Sequence, residues 1–286
     1  MGPCRFGLDT PGNITNLGPA ASNFIAAADF ANDIWYGIIY GGELVTIDTV
    51  TGDVTSIGAT ADATGMAYDL TTGTMYAVDF YGHLYTIDLG TGAATVVCAT
   101  REYLITLACG RNGVLYGFDL SQDVLGTINK KTGEWTVIGS LGIDMNYAQD
   151  AVFDRNTGIL YLAAQLNYGD GQLMTVDTGT GAAHFVGVFE NGVEVAGFAI
   201  PYECGRDSVS PAASFRPLVV NHLSQCSFLM AEIRERVSCD VSPDVCDMLD
   251  MAGERVNSAS AMANPIHANG ELAKAIGLLQ DILSQL

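Results

Sequence analysis

The chain has 286 residues, 49% of them hydrophobic and only 15% charged, and its 32 acidic against 12 basic residues give a net charge of −20. That balance excludes nucleic acid and anionic membrane surfaces as partners, because phosphate binding needs clustered Lys and Arg. It also excludes a disordered or fibrous chain and leaves apolar residues enough for one large core and one smaller one.

No run approaches the roughly 18–20 apolar residues that cross a bilayer, and the opening MGPCRFGLDT lacks a basic segment followed by an apolar one. The chain carries seven cysteines and no CxxC pair, a usage that points to disulfides formed in an oxidising compartment. An extracellular or cell-surface location follows, with any secretory leader removed ahead of the numbering. The odd count leaves one thiol free or bonded between molecules. Asn13, followed by Ile14 and Thr15, is a glycosylation acceptor pattern compatible with that location.

From the N-terminus onward one line recurs: RFGLDTPGNITNLG (5–18), LVTIDTVTGDVTSIG (44–58), LYTIDLGTGAATVVC (84–98), LGTINKKTGEWTVIG (125–139) and LMTVDTGTGAAHFVG (173–187). Its glycines Gly12, Gly52, Gly92, Gly133 and Gly181 are spaced by 40, 40, 41 and 48 residues. A second hairpin lies between these lines, in FIAAADFANDIWYGI (24–38), GMAYDLTTGTMYAVD (65–79), TLACGRNGVLYGFD (106–119) and DAVFDRNTGILYLAA (150–164). Each unit of about 40 residues therefore reads as four strands, which is one blade of a β-propeller.

Asp48, Asp69, Asp88, Asp154 and Asp177 each precede a Thr-Gly pair by three residues, where one strand turns into the next. A carboxylate there can accept N–H groups ahead of it while Gly supplies a positive φ, so the motif reads as turn chemistry. One carboxylate per isolated hairpin is too few for calcium.

The register of the copies divides one blade between the two ends. Residues 4–18 match the third and fourth strands of a blade, and AGFAI (196–200) matches a first strand, so the expected fold is a five-bladed propeller with a composite closing blade. The second strand of that blade is the one without an evident match. Cys4 and Cys204 fall in the same blade and are expected to bridge, closing a loop of about 200 residues for about 4–5 kcal/mol in the chain-entropy model. Cys98 and Cys109, near the junction of the second and third blades, form a second candidate pair.

After Cys204 the pattern changes. A Ser- and Pro-rich linker covers 205–217, and 218–286 carries apolar residues at steps of three and four, predicting three amphipathic helices. Cys239 and Cys246 flank the turn between the first two helices and are expected to pair, while Cys226 faces the apolar seam as the free thiol. Leu272, Ile276, Leu279, Leu283 and Leu286 share one helix face, a candidate surface for self-association. The domains are thus 1–204 propeller, 205–217 linker and 218–286 helical.

No metal, phosphate-loop or nucleophile-elbow pattern is present, and His83, His184, His222 and His267 lack ligand spacing. Neither a cofactor nor a metal is expected. Asp79, Asp119, Asp144, Asp150 and Asp170 are the carboxylates that a propeller hydrolase would have to bring together. Trp35, Tyr36, Tyr40, Tyr81, Tyr147 and Tyr168 offer either a sugar-stacking platform or filling between blades.

The line L-x-T-I-D-x-x-T-G-x-x-T-x-I-G resembles the propeller repeats of secreted and cell-surface bacterial and archaeal proteins, related in architecture to quinoprotein-like and NHL-type propellers. The resemblance covers roughly residues 1–204 and implies architecture alone, because the repeated residues encode strands and turns. No residue matches a quinone or calcium ligand set. The expected function is a non-enzymatic surface scaffold whose tail mediates self-association, as a homo-oligomer or filament, or adhesion; the alternatives are a lectin-like glycan binder and, behind it, a glycoside hydrolase.

Overall fold

The computed structural model describes residues 2–19, 24–147, 149–167, 169–202 and Glu254. The chain divides into two compact units, Met1–Cys204 and Gly205–Leu286. The tail helices, the face formed by Leu272, Ile276, Leu279, Leu283 and Leu286, and Cys204, Cys226, Cys239 and Cys246 lie outside the described residues.

The described part is a mainly β, propeller-like arrangement. A two-stranded sheet, β1 (Cys4–Gly7) and β2 (Thr10–Asn16), comes first. Four sheets of four antiparallel strands follow. The first contains β3 (Ile25–Ala31), β4 (Ile34–Ile39), β5 (Glu43–Ile47) and β6 (Val54–Ala59), and the second β7 (Gly65–Asp69), β8 (Thr74–Val78), β9 (His83–Ile87) and β10 (Ala94–Ala99). The third holds β11 (Leu104–Cys109), β12 (Leu115–Asp119), β13 (Val124–Ile128) and β14 (Trp135–Ser140). The fourth holds β15 (Asp150–Asp154), β16 (Ile159–Gln165), β17 (Gly171–Val176) and β18 (Ala183–Val188). Within each sheet the strands lie in chain order.

Burial runs from hub to rim. The first strands, β3, β7, β11 and β15, are buried along nearly their whole length. Ala27, Ala28, Gly65, Ala67, Ala108 and Ala151 keep them thin, so that β3 packs on β7, β7 on β11, β11 on β15, and β15 reaches β3. The outermost strands alternate with solvent in the manner of a half-exposed sheet. Apolar clusters fill the junctions of the first and second, second and third, and third and fourth sheets.

The Asp-x-x-Thr-Gly hairpins lie on one side of the ring. Asp48 accepts the N–H groups of Val50 and Thr51, Asp88 those of Gly90 and Thr91, and Asp177 those of Gly179 and Thr180. In the inner hairpins Asp69 accepts the N–H and hydroxyl of Thr71 and the hydroxyl of Thr72, and Asp154 accepts the N–H of Asn156 and the hydroxyl of Thr157. Among the described residues no group of three or more His, Cys, Asp or Glu could hold a metal ion. Asp69 also takes Lys130 Nζ of the third sheet at 2.5 Å; despite its burial, the ammonium and the hydroxyl and N–H of Thr71 hold its carboxyl down at about 2.

The turn glycines carry a load beyond their positive φ. A β-carbon on Gly133 (φ +73°) would run into the Ala99 carbonyl oxygen of the preceding sheet. Gly92 meets Gly58, and Gly181 meets Gly139, in the same way. The contact recurs on both sides of the β1–β2 sheet, where Gly52 meets Gly18 and a β-carbon on Gly12 would lie 3.3 Å from the Val188 carbonyl. Gly12 sits within β2, so the first copy turns at Leu8–Asp9 instead. Gly133→Ala should cost about 2–4 kcal/mol, the sum of a left-handed penalty and overpacking against backbone, measured by urea unfolding.

Four full blades are present, and among the described residues the remaining sector holds the β1–β2 sheet and residues 193–201, which have no ladder partner there. One expectation changes. Cys98 and Cys109 are free thiols in place of a bridge, as is Cys4. Burial pushes the Cys109 thiol up to about 12 and raises those of Cys98 and Cys4, which disfavours the thiolate at all three.

Candidate functional site: the aromatic mouth of the ring

A buried arginine crosses the hub. Arg155, 1% exposed, follows β15 and reaches across the ring; its Nη2 donates to Asp29 Oδ2 at 2.5 Å and to the Tyr68 carbonyl at 2.9 Å, and Nη1 to the Phe30 carbonyl at 3.0 Å. The guanidinium lies 4.5 Å from the Tyr202 ring centre. Asp29 accepts the N–H groups of Phe30 and Tyr68 as well.

At the start of β15, Asp150 is wholly buried and makes no ion pair among the described residues. Thr106 Oγ1 (2.5 Å) and Ala151 N–H (2.9 Å) donate to Oδ1, while Ala28 N–H (3.0 Å) and Phe198 N–H (2.9 Å) donate to Oδ2. One carboxylate thereby ties the first, third and fourth sheets to the segment 193–202. Burial raises its pKa well above the ordinary carboxylate range, and the donors from Thr106, Ala28 and Ala151 pull against that.

Above this floor, on the side opposite the Asp-x-x-Thr-Gly turns, a cavity of about 230 Å³ opens between loops of the first, second and third sheets. Phe24, before β3, stacks on Tyr40, after β4, with ring centres 5.0 Å apart. Phe80, on the β8–β9 hairpin, meets Tyr103 edge-on at 5.0 Å and Tyr147 at 5.8 Å. Tyr81 projects beside them, 78% exposed, and Tyr147 is 60% exposed. Ala26, Ala63, Thr64 and Ile105 form the floor. Such clustering of solvent-facing rings is unusual for side chains whose hydrophobic gain comes from burial.

Two polar groups face this space. Gln149 is 1% exposed; its amide nitrogen donates to the Asn146 carbonyl, and its Oε1 has no hydrogen-bond partner among the described residues. Asp62, exposed, accepts Gly41 N–H at 2.9 Å and is the one carboxylate among the lining residues. Asp79 sets the hairpin that presents Phe80 and Tyr81. It accepts the N–H groups of Tyr81 and His83, the His83 ring at 2.8 Å and the Tyr85 hydroxyl at 2.8 Å. Burial would raise the Asp79 carboxyl, but these donors prevail and lower it, while the Tyr85 hydroxyl rises to about 12.

Of the aromatic residues singled out in the sequence, Tyr40, Tyr81 and Tyr147 meet at the mouth. Tyr36 is buried between the first two sheets, Trp35 borders a different cavity, and Tyr168 lies outside the described residues. The hydrolase carboxylates do not gather there. Asp79 and Asp150 are engaged as above, Asp119 pairs with Arg101 Nε at 2.7 Å, Asp144 accepts Asn167 Nδ2 at 2.6 Å, and Asp170 lies against Gly192. Of the histidines, His83 is held by Asp79, His184 lies in β18, and His222 and His267 are outside the described residues.

No protein-family model and no curated protein matches the chain. Solved structures do show a likeness. A structural genomics protein of unknown function from Bacteroides thetaiotaomicron aligns at 16% identity with a TM-score of 0.45, over 58% of this chain and 44% of that one. The chain thus spans less than half the length of that protein. Virginiamycin B lyase from Staphylococcus aureus aligns at 12% identity and a TM-score of 0.42, over 71% of this chain and 67% of the other. Regucalcin, a calcium-binding protein from Agrobacterium tumefaciens, aligns at 17% identity and a TM-score of 0.38, over 62% of each chain. At these identities and TM-scores nothing about activity or ligands follows from the likeness.

Proposed function

We propose that the chain is a non-catalytic binding module that holds a neutral saccharide at the aromatic mouth, with the ring as a rigid scaffold beneath it. The observation that carries the reading is Gln149: a buried amide oxygen without a donor, under a set of exposed rings. A pyranose offers an apolar face for Tyr40, Tyr81 or Tyr147 and hydroxyl donors for Gln149 Oε1 and Asp62, which is the pairing of stacking and directed hydrogen bonds that small-ligand pockets use. Catalysis is disfavoured by the lining itself, since glycoside hydrolysis needs two carboxylates flanking one bond and Asp62 stands alone there.

A glycan array probed with the full chain tests this. Binding to neutral glycans is expected, weakened about tenfold or more in Tyr147→Ala, since ring truncation in a stacked contact costs about 1.5 kcal/mol with the lost area added. The same weakening is expected in Gln149→Leu, which keeps the shape and removes the acceptor. A blank array, or binding indifferent to both substitutions, removes the proposal.

A further inference from the structure

The sector between the fourth and first sheets is incomplete in a specific way. In each complete sheet the first strand is laddered to a second: β3 to β4, β7 to β8, β11 to β12 and β15 to β16. The extended residues 194–201 pack their Phe198 and Ile200 against Phe6, Leu8 and Phe189, with Phe198 stacked on Phe6 at 5.6 Å. Yet among the described residues their backbone makes no hydrogen bond other than Phe198 N–H to Asp150. Gly197, Phe198 and Ile200 are the buried members of this segment, and buried backbone groups without partners are costly.

A cavity of about 1070 Å³ lies where their partner would run, lined by Gly2–Phe6 on one side, Val195–Pro201 on another, and Ile25, Phe30 and Trp35 of the first sheet on the third. The other junctions carry apolar clusters shared by two neighbouring sheets, whereas the cluster on this face of the first sheet draws only on that sheet's own residues. Trp35 Nε1 is buried there and has no acceptor among the described residues. Nor does the sequence supply the strand in its usual place: the second strands read IWYGII, TMYAV, LYGFD and ILYLAAQ, while the residues after Tyr202 read ECGRDSVSP.

We propose that β1, β2 and residues 194–201 are a fifth blade lacking its second strand, and that the cavity is an acceptor for an extended peptide strand donated by a partner protein. The strand would ladder with 195–200 on one edge and with the free edge of β1 on the other, as in strand addition to an open sheet. Alternate side chains would face Trp35 and Phe30, with an aromatic residue at the position held by Tyr36, Tyr76, Tyr116 and Tyr161 in the complete blades. The net charge of −20 selects against an acidic donor, so the partner segment is neutral or basic as well as apolar in alternation.

The probe is a fluorescent peptide with the β8 sequence TGTMYAVD and two lysines appended, added to the full chain carrying Trp135→Phe so that Trp35 reports alone. Saturable binding, a blue shift of Trp35 emission and new protection from amide exchange at Arg5–Gly7 and 196–200 are expected. A peptide with proline at the alanine of TGTMYAVD should bind about tenfold more weakly or worse, having lost a backbone donor. A Trp35→Ala variant, which leaves the ladder intact, should weaken binding without changing the fold read by circular dichroism. Absence of saturable binding overturns the proposal. So does protection of 196–200 before any peptide is added, because the slot would then be filled already, by the rest of this chain or by a second copy.

Discussion

Replacing Arg155 by methionine is expected to destabilise the propeller unit by about 3–5 kcal/mol, the range for breaking a buried ion pair from one side. The guanidinium is 1% exposed and Asp29 is 2% exposed, so neither charge can turn to water when the other is removed. Methionine keeps much of the length but leaves Asp29 Oδ2 with only the Tyr68 N–H, and the carbonyls of Phe30 and Tyr68 lose their side-chain donor. Because Arg155 joins the fourth sheet to the first and second, the loss should appear as a lower urea midpoint for the whole ring. Asp29→Asn in the same background should recover part of it, since the uncompensated charge is gone, and the double variant should therefore be more stable than additivity gives. A change within about 1 kcal/mol for Arg155→Met would mean that the hub is wetter than its packing implies.

Thr106→Val is expected to cost about 1.5–3 kcal/mol at pH values where Asp150 is ionised, the range for a hydrogen bond to a charged group, and to cost less where it is protonated. Valine fills the same volume but cannot donate to Asp150 Oδ1 or accept from Ala151 N–H. The sign follows from the carboxyl. Asp150 has a raised pKa in the folded state, so above the ordinary value of 3.8 the folded chain binds a proton more tightly than the unfolded chain. Its contribution to stability is full at low pH and is lost as pH rises through the folded pKa. The Thr106 hydroxyl stabilises the ionised form and limits that loss, so the gap between wild type and variant should widen as pH rises. Unfolding both chains at several pH values reads the gap directly and cancels the opposite trend from Asp69, whose stabilising contribution is lost only as pH falls through about 2. A gap independent of pH would mean that Asp150 stays in one ionisation state throughout.

Local features were the legible ones. Strand alternation and the Asp-x-x-Thr-Gly turns depend on residues two to five apart, and the sequence reading of both agrees with the hydrogen bonds to Asp48, Asp88 and Asp177. The assignment of 4–18 and 196–200 to one sector came from register, and Phe6 packs on Phe198 there. What escaped was long-range. The Asp29–Arg155 pair spans 126 residues, and Arg155 sits in DRNTG at the position of Leu70 in DLTTG, a turn motif that reads as surface. A lone arginine after an all-buried strand was the available signal. At the mouth, Phe80, Tyr103 and Gln149 lie in loops outside the repeated lines, where periodicity gives no register, and Phe24 stands at the very start of one, ahead of β3. The Cys98–Cys109 pairing failed because nearness to one blade junction does not set the direction of two side chains.

The direct test of a ligand site at the mouth is methyl chemical-shift mapping of the full chain during titration with cellobiose and N,N′-diacetylchitobiose. The expected result is saturable shifts at Ala26, Ala63 and Ile105, which floor the cavity, with Val50 and Val137 away from it unmoved. Shifts centred on Val50 or Val137, or no saturable shift with either sugar, would contradict a saccharide site held above the hub.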